Sequence, residues 1–145
     1  DALVAKGHIA SRDEAFATLL HNGSKYYVTH IAPTPEDAIK VIRQAGGVAV
    51  IAHRFATRRG QTLSAMSFPS LIAAGLNGIE VEHRDHSHEE REQLRELARD
   101  SGLVITGASD YHGTGKLNSI GENHTDPAEW ARLESMADAR RVVTE

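Results

Sequence analysis

Residues 104–116 read VITGASDYHGTGK, so that an apolar run leads directly into an aspartate, an aromatic residue and a histidine. The apolar run predicts a buried strand. Because side chains two residues apart on a strand point to the same side, Asp110 and His112 are expected to project together, with Tyr111 turned away. A carboxylate and an imidazole that converge at the end of a buried strand are suitable ligands for a divalent metal ion.

Two earlier apolar runs end in the same way. VAVIA at residues 48–52 is followed by His53, and GIEVE at residues 78–82 is followed by His83. Helix signals separate the three runs, and this alternation predicts an α/β fold with parallel strands and outer helices. In parallel sheets and barrels, active sites lie at the carboxyl ends of the strands. The three runs therefore predict one site at a shared edge.

The helix signals are specific in two places. Thr34 precedes Pro35, which suits the first position of a helix, and Ser87 with Glu90 forms a capping box. Gly102 stops the second of these helices. A last helix is expected to begin at residue 127.

Candidate ligands follow from these strand ends. The metal-binding interpretation takes His53, Asp110 and His112 together, although each alone also suits an ordinary hydrogen-bonded loop. The arginine-bearing loop after His53 suits a phosphate beside a metal, although a solvated loop is the alternative interpretation. For His83 the alternative is a plain charged helix start, and for Lys116 it is an ordinary loop lysine. Either Glu80 or Glu82 could face the site. The predicted substrate-binding residues are Arg54, Arg58, Arg59, His83 and Lys116.

Length and composition limit the class of protein. The chain has 145 residues, which suits one domain, and its net charge of -4 argues against a dedicated nucleic-acid binder. It has no cysteine, so a metal would be held by His, Asp and Glu. No apolar run approaches the ~18 residues of a membrane span, and a cytoplasmic location is expected.

Residues 1–32 are predicted to form a small helical unit in which Phe16, Leu19 and Leu20 make a buried stripe.

The runs GGVAVIAH, GLNGIEVEH and GLVITGASDYHG, in this order and spacing, resemble the PHP (polymerase and histidinol phosphatase) family, and most closely its bacterial phosphoesterases. The resemblance implies a distorted (β/α)7 barrel with divalent metals at its mouth. Carried over to this chain, His53, Asp110 and His112 match late metal ligands of the family. Residues 33–145 would be the C-terminal part of the barrel, and residues 1–32 a small helical insertion.

The sequence departs from the family pattern in two ways. Arg54 stands where relatives usually have a proline after the histidine, and the family's early metal-binding motifs do not occur in these residues. The chain is therefore expected to be a fragment with an exposed sheet edge, which a partner or a second copy of the chain would cover.

The implied activity is hydrolysis of phosphate esters by a metal-activated water. The cofactor would be a divalent metal ion, with Mn, Fe and Zn equally suitable. The expected substrates are nucleotides or related small phosphorylated molecules, or short nucleic acid, and no membrane partner is expected. Two alternatives are a non-catalytic module that binds metal or phosphate, and a different barrel metallohydrolase such as an amidohydrolase.

Overall fold

The computed structural model describes residues 1–21, 23–29, 31–54, 64, 67–113 and 117–138. The chain divides into two compact units, Asp1–Ala32 and Pro33–Glu145. Within the described ranges, the structure contains no helix with the length and apolar character needed to cross a membrane.

The first unit consists of short helical segments. Ser11 begins one of them, because its hydroxyl accepts a hydrogen bond from the N–H of Glu14. The segments are α1 (Ala2–Ala5), α2 (Arg12–Glu14) and a π-helical turn over Ala15–Leu19 that continues from α2.

The predicted buried stripe of this unit is wrong for Phe16 and Leu20, whereas Leu19 is partly buried. Phe16 is 55% exposed and Leu20 is 52% exposed, and the buried residue of the π-helical turn is Ala15. The turn closes with a hydrogen bond from the Leu20 N–H to the Ala15 carbonyl. This five-residue spacing widens the helix, so positions chosen for a 3.6-residue period no longer share one face.

The second unit is built on a parallel sheet with the strand order β1-β2-β3. Its strands are β1 (Val50–Ile51), β2 (Gly78–Glu82) and β3 (Val104–Gly107). In the register, Gly78 lies opposite Val50 on one side and Val104 on the other. The predicted α/β architecture with parallel strands is confirmed, and the described residues form three strands of it.

Helices alternate with these strands along the chain. Thr34 begins one as predicted, by accepting a hydrogen bond from the Asp37 N–H, and both hydrogen bonds of the Ser87–Glu90 capping box are present. The helices are α3 (Pro35–Gln44), α4 (Phe68–Ala73), α5 (His88–Ser101) and α6 (Pro127–Ser135).

The core lies between β2 and the helices. Ile79 and Val81 are fully buried, and they belong to one cluster with Leu71 of α4 and Leu94 of α5. Burial of one such side chain contributes about 1.5–3 kcal/mol. Because strand residues alternate between faces, Glu80 is turned away from this cluster, toward the strand ends that carry the histidines.

The outer edge of β3 is covered by α6 and by the segment that leads into it. The Ile105 N–H donates to Glu129 Oε2 at 3.0 Å, and the Gly107 N–H donates to Thr125 Oγ1 at 3.0 Å. The Thr125 hydroxyl in turn donates to the Gly107 carbonyl at 3.2 Å. Side chains therefore cover this edge along β3, and an isolated antiparallel bridge between Ala108 and His124 follows directly after the strand.

Candidate metal and phosphate site

Three candidate residues meet at the carboxyl ends of the three strands. His53 follows β1, His83 follows β2, and Asp110 follows β3. Each offers one potential ligand atom, and these atoms lie within 4.8 Å of one another. The sheet brings them together because parallel strands in adjacent positions end at the same edge.

His53 has an unusual backbone, with φ of 54°. For a residue other than glycine, this left-handed conformation costs about 1–3 kcal/mol and persists only where the surroundings hold it. The His53 N–H donates to Glu80 Oε2 at 2.8 Å, and the same oxygen lies 3.8 Å from His53 Nε2. Glu80 is itself buried, with 5% exposure.

The sequence left open whether Glu80 or Glu82 faces the site, and the structure separates them. The register of β2 against β3 shifts between these two residues, as in a β-bulge. Glu82 pairs with Arg91 and Arg95 of α5, whereas Glu80 contacts His53. One sequence signal favours Glu80, namely a carboxylate placed between two apolar residues of a buried strand.

His83 is fully buried between the other two residues. Its ring centroid lies 4.8 Å from that of His53, and its Nε2 lies 3.9 Å from Asp110 Oδ2. Burial lowers the pKa of His83; Glu80 and Asp85 oppose this shift, and the neighbouring histidines His53 and His86 add to it. The direction of this pKa shift favours the neutral imidazole.

Hydrogen bonding assigns the tautomer of His83. Its Nδ1 accepts a hydrogen bond from the Asp85 N–H at 3.2 Å. A neutral imidazole that accepts at Nδ1 carries its proton on Nε2. Among the described residues, this buried Nε2 has no hydrogen-bond partner. His83 therefore presents an unused N–H donor beside Asp110, and such a donor suits an oxyanion.

His112 shows the opposite arrangement. Its Nδ1 donates to the backbone carbonyl of Asp110 at 2.7 Å, which leaves Nε2 with a lone pair, the form in which histidine binds metal. Its side chain is 52% exposed, and its Nδ1 lies 3.4 Å from Asp110 Oδ1. The two residues are thus neighbours, but not for the predicted reason. β3 ends at Gly107, and Asp110 has a left-handed φ of 50°, so strand alternation does not extend to this pair.

The predicted phosphate-binding residues are only partly described. Arg54 is buried, with its Cζ 5.7 Å from the centroid of the Phe68 ring, and burial lowers the pKa of its guanidinium group. It remains a cation at physiological pH. Arg58, Arg59 and Lys116 lie outside the described residues.

The sequence did not single out His86 as part of the site. His86 is buried, its Nδ1 donates to the Val81 carbonyl at 2.9 Å, and its ring centroid lies 5.4 Å from that of His83. It supports the turn that carries His83. A histidine three residues after the strand end was the available signal, but a charged helix start has the same appearance.

The donor set suits a divalent cation. Imidazole nitrogens and carboxylate oxygens are ligands for Mn, Fe and Zn, and the tautomer of His112 leaves one nitrogen available. Two buried or nearly buried carboxylates, those of Glu80 and Asp110, supply negative charge around the histidines.

Several curated proteins are similar to this chain. It is 42% identical over 86 residues to the phosphoribosyl 1,2-cyclic phosphate 1,2-diphosphodiesterase of Eggerthella lenta, a match to 59% of this chain and 31% of the relative. It is 35% identical over 114 residues to the 3',5'-nucleoside bisphosphate phosphatase of Chromobacterium violaceum, covering 79% of this chain and 40% of the relative. It is 37% identical over 116 residues to the 5'-3' exoribonuclease Rnm of Escherichia coli, covering 76% and 38%.

Two solved structures are similar as well. A candidate metal-dependent phosphoesterase from Bifidobacterium adolescentis superposes with a TM-score of 0.84 at 40% identity, covering 94% of this chain and 48% of that one. An amidohydrolase from Chromobacterium violaceum, solved with bound sulfate and without metal, superposes with a TM-score of 0.65 at 30% identity, covering 96% and 51%.

No protein-family model matches the chain. The chain spans between 31% and 40% of the length of the three curated relatives. All three are named for the hydrolysis of phosphate esters, so the similarity relates this chain to phosphoesterases.

Proposed function

We propose that this chain is the C-terminal part of a PHP-family, metal-dependent phosphoesterase, with residues 1–32 as a helical insertion and residues 33–145 as part of a distorted (β/α)7 barrel. One observation carries the proposal. His53, His83 and Asp110 leave three adjacent parallel strands and bring their potential ligand atoms within 4.8 Å of one another. The similarity to phosphoesterases supports the same assignment.

In this proposal His53, Asp110 and His112 hold a divalent ion, with Mn, Fe and Zn equally suitable. When bound, such an ion would polarise the phosphate ester and lower the pKa of the attacking water. Asp110 contributes a charged oxygen that is mostly shielded from solvent, and the hydrogen bond from His112 to the Asp110 carbonyl keeps the His112 Nε2 lone pair available.

Within the cluster of His53, His83 and Asp110, we assign His83 to the phosphate, because an imidazole that accepts at Nδ1 is protonated on Nε2 and has no lone pair left for a metal. Its Nδ1 is occupied by the Asp85 N–H, so its Nε2–H is the group that a phosphate oxygen would accept. Arg54, Arg58, Arg59 and Lys116 would add positive charge for the same anion. The sulfate held by the amidohydrolase relative is, like phosphate, a tetrahedral oxyanion, and it supports anion binding in this fold.

The proposed substrates are phosphate esters of nucleotides or of related small molecules, with short nucleic acid as an extension. The names of the bisphosphate phosphatase and the exoribonuclease support these two classes. Amide hydrolysis is the second candidate, because one solved relative is named an amidohydrolase. A catalytically silent module that only binds metal or phosphate is the third outcome that the experiment below distinguishes.

The test uses the full-length protein loaded with Mn²⁺, assayed against a nucleoside 3',5'-bisphosphate, a short RNA and an amide. We expect inorganic phosphate from the bisphosphate and mononucleotides from the RNA, loss of both products on chelation with EDTA, and loss of both activity and bound metal in Asp110→Asn. The matched control is Asp100→Asn, because Asp100 is an exposed carboxylate at the end of α5. Elemental analysis reports the bound metal.

Three results would contradict the proposal. Wild-type turnover in Asp110→Asn would remove Asp110 from the site. Hydrolysis of the amide alone would favour the amidohydrolase alternative. Stoichiometric metal with no hydrolysis of any substrate would favour the silent binding module.

A further inference from the structure

Glu80 is a buried acidic residue of the central strand to which the proposed function gives no role. Ile79 lies opposite Ile51 in the sheet register, so Glu80 is the next residue of β2 beside the segment that leaves β1. That segment contains only Ala52 before it reaches His53. Glu80 is therefore placed where β1 stops and the site begins.

The carboxylate of Glu80 replaces a backbone carbonyl as the hydrogen-bond acceptor at this point. In a longer β1, the next backbone N–H would find a carbonyl of β2. Here the His53 N–H donates to Glu80 Oε2 at 2.8 Å instead, and the His53 backbone turns to a φ of 54°. A side-chain acceptor thus stabilises a conformation that histidine rarely adopts, and this conformation determines where the imidazole points.

The same carboxylate also faces the His53 ring. Glu80 Oε2 lies 3.8 Å from His53 Nε2. This separation is longer than a hydrogen bond, but it places the carboxylate where it limits the orientations that the His53 ring can take. One buried oxygen atom therefore accepts the hydrogen bond of the His53 backbone and lies beside the His53 ring.

We propose that Glu80 is a positioning residue that sets the geometry of His53 and so controls metal affinity at the strand ends. This inference rests on the proposed function only in taking His53 as a metal ligand. Glu80 acts through His53, whereas Glu82, two residues further along β2, is engaged by Arg91 and Arg95.

The variants Glu80→Ala, Glu80→Asp and Glu80→Gln, with Glu82→Gln as the matched control, test this in the full-length protein. The first measurement is hydrogen exchange of the His53 amide in the metal-free protein, by NMR. The second is the Kd for Mn²⁺, by calorimetry. Neither measurement depends on turnover.

We expect Glu80→Ala to accelerate exchange of the His53 amide by about tenfold or more and to weaken Mn²⁺ binding by about 10–100-fold, the usual range for a group that orients a metal ligand. Glu80→Asp, whose side chain is one methylene shorter, should behave like Glu80→Ala. Glu80→Gln keeps an acceptor oxygen in place and should stay close to the wild type in exchange. Glu82→Gln should match the wild type in both measurements.

The inference is overturned if Glu80→Ala changes neither quantity, or if Glu82→Gln changes both equally. Should Glu80→Ala fail to fold, the comparison of Glu80→Asp with Glu80→Gln decides, because identical exchange and affinity in these two variants would contradict a hydrogen-bonding role. Failure of the proposed function gives a different result. In that case the wild type hydrolyses no phosphate ester, but Glu80→Ala still accelerates hydrogen exchange of the His53 amide.

Discussion

Substitution of Gly107 by alanine should be strongly destabilising, because the end of β3 has no room for a Cβ atom. A Cβ at this position would lie 2.5 Å from the His124 carbonyl oxygen, 2.6 Å from Glu82 Cβ and 3.0 Å from the Glu82 carbonyl oxygen. To reach an ordinary contact of 3.4 Å, the nearest of these atoms would have to move by roughly 0.9 Å. Two of the three atoms are backbone, so no flexible side chain can give way.

We expect Gly107→Ala to lower the free energy of unfolding by about 3 kcal/mol, the upper part of the usual range for overpacking. At roughly 4 °C per kcal/mol for a domain of this size, Tm should fall by about 12 °C. Thermal unfolding followed by circular dichroism measures the shift.

The control is Gly102→Ala. It separates the steric requirement for a glycine from the requirement for a left-handed backbone. Gly102 has a φ of 66°, and a Cβ added there would meet no atom within 4 Å, so alanine has only the left-handed backbone cost of about 1–2 kcal/mol. The reasoning from steric contact is refuted if Gly107→Ala is no more destabilising than Gly102→Ala.

Three further outcomes are expected. Leu94→Ala should lower the free energy of unfolding, measured in urea, by about 2–5 kcal/mol, because Leu94 lies in the core with 2% exposure. Leu117 is 93% exposed, so Leu117→Ala should change this free energy little. Equal losses in the two variants would contradict the burial argument. The Ser70 hydroxyl holds the pKa of Glu36 below 4.5, so the contribution of Glu36 to folding is present above that pH and is lost as pH falls through the folded-state pKa. Ser70→Ala should raise this pKa in an NMR titration, and an unchanged curve would reject the coupling. Mn²⁺ at a hundredfold excess over its Kd should stabilise the wild type by about 2.7 kcal/mol in thermal unfolding, and an equal gain in Asp110→Asn would place the ion elsewhere.

The sequence was sufficient for the elements whose signals are local. The Ser87–Glu90 capping box, the helix start at Thr34 and Pro35, and the glycine stop at Gly102 are all confirmed, because each is completed by residues within a few positions of one another. The parallel α/β arrangement is confirmed for a similar reason, since alternating strands and helices have few ways to connect.

The details of the site could not be read in this way, because they depend on contacts between distant residues. β1 is only two residues long, since the Glu80 carboxylate takes the hydrogen bond that would have continued it. The left-handed backbones of His53 and Asp110 leave no pattern in a sequence. The tautomers of His83 and His112 follow from single hydrogen bonds that only the folded chain forms.

The side chains of Thr125 and Glu129 accept hydrogen bonds from the outer edge of β3, and this limits where a further strand can pair with the sheet. The outward N–H groups of Ile105 and Gly107 already donate hydrogen bonds, so β3 has few backbone donors left for an incoming strand. Of the two edge strands in the described sheet, β3 is therefore the one whose outward N–H groups are already used. A barrel completed on this sheet would have a seam beside β3 that is joined by side chains rather than by a continuous backbone ladder.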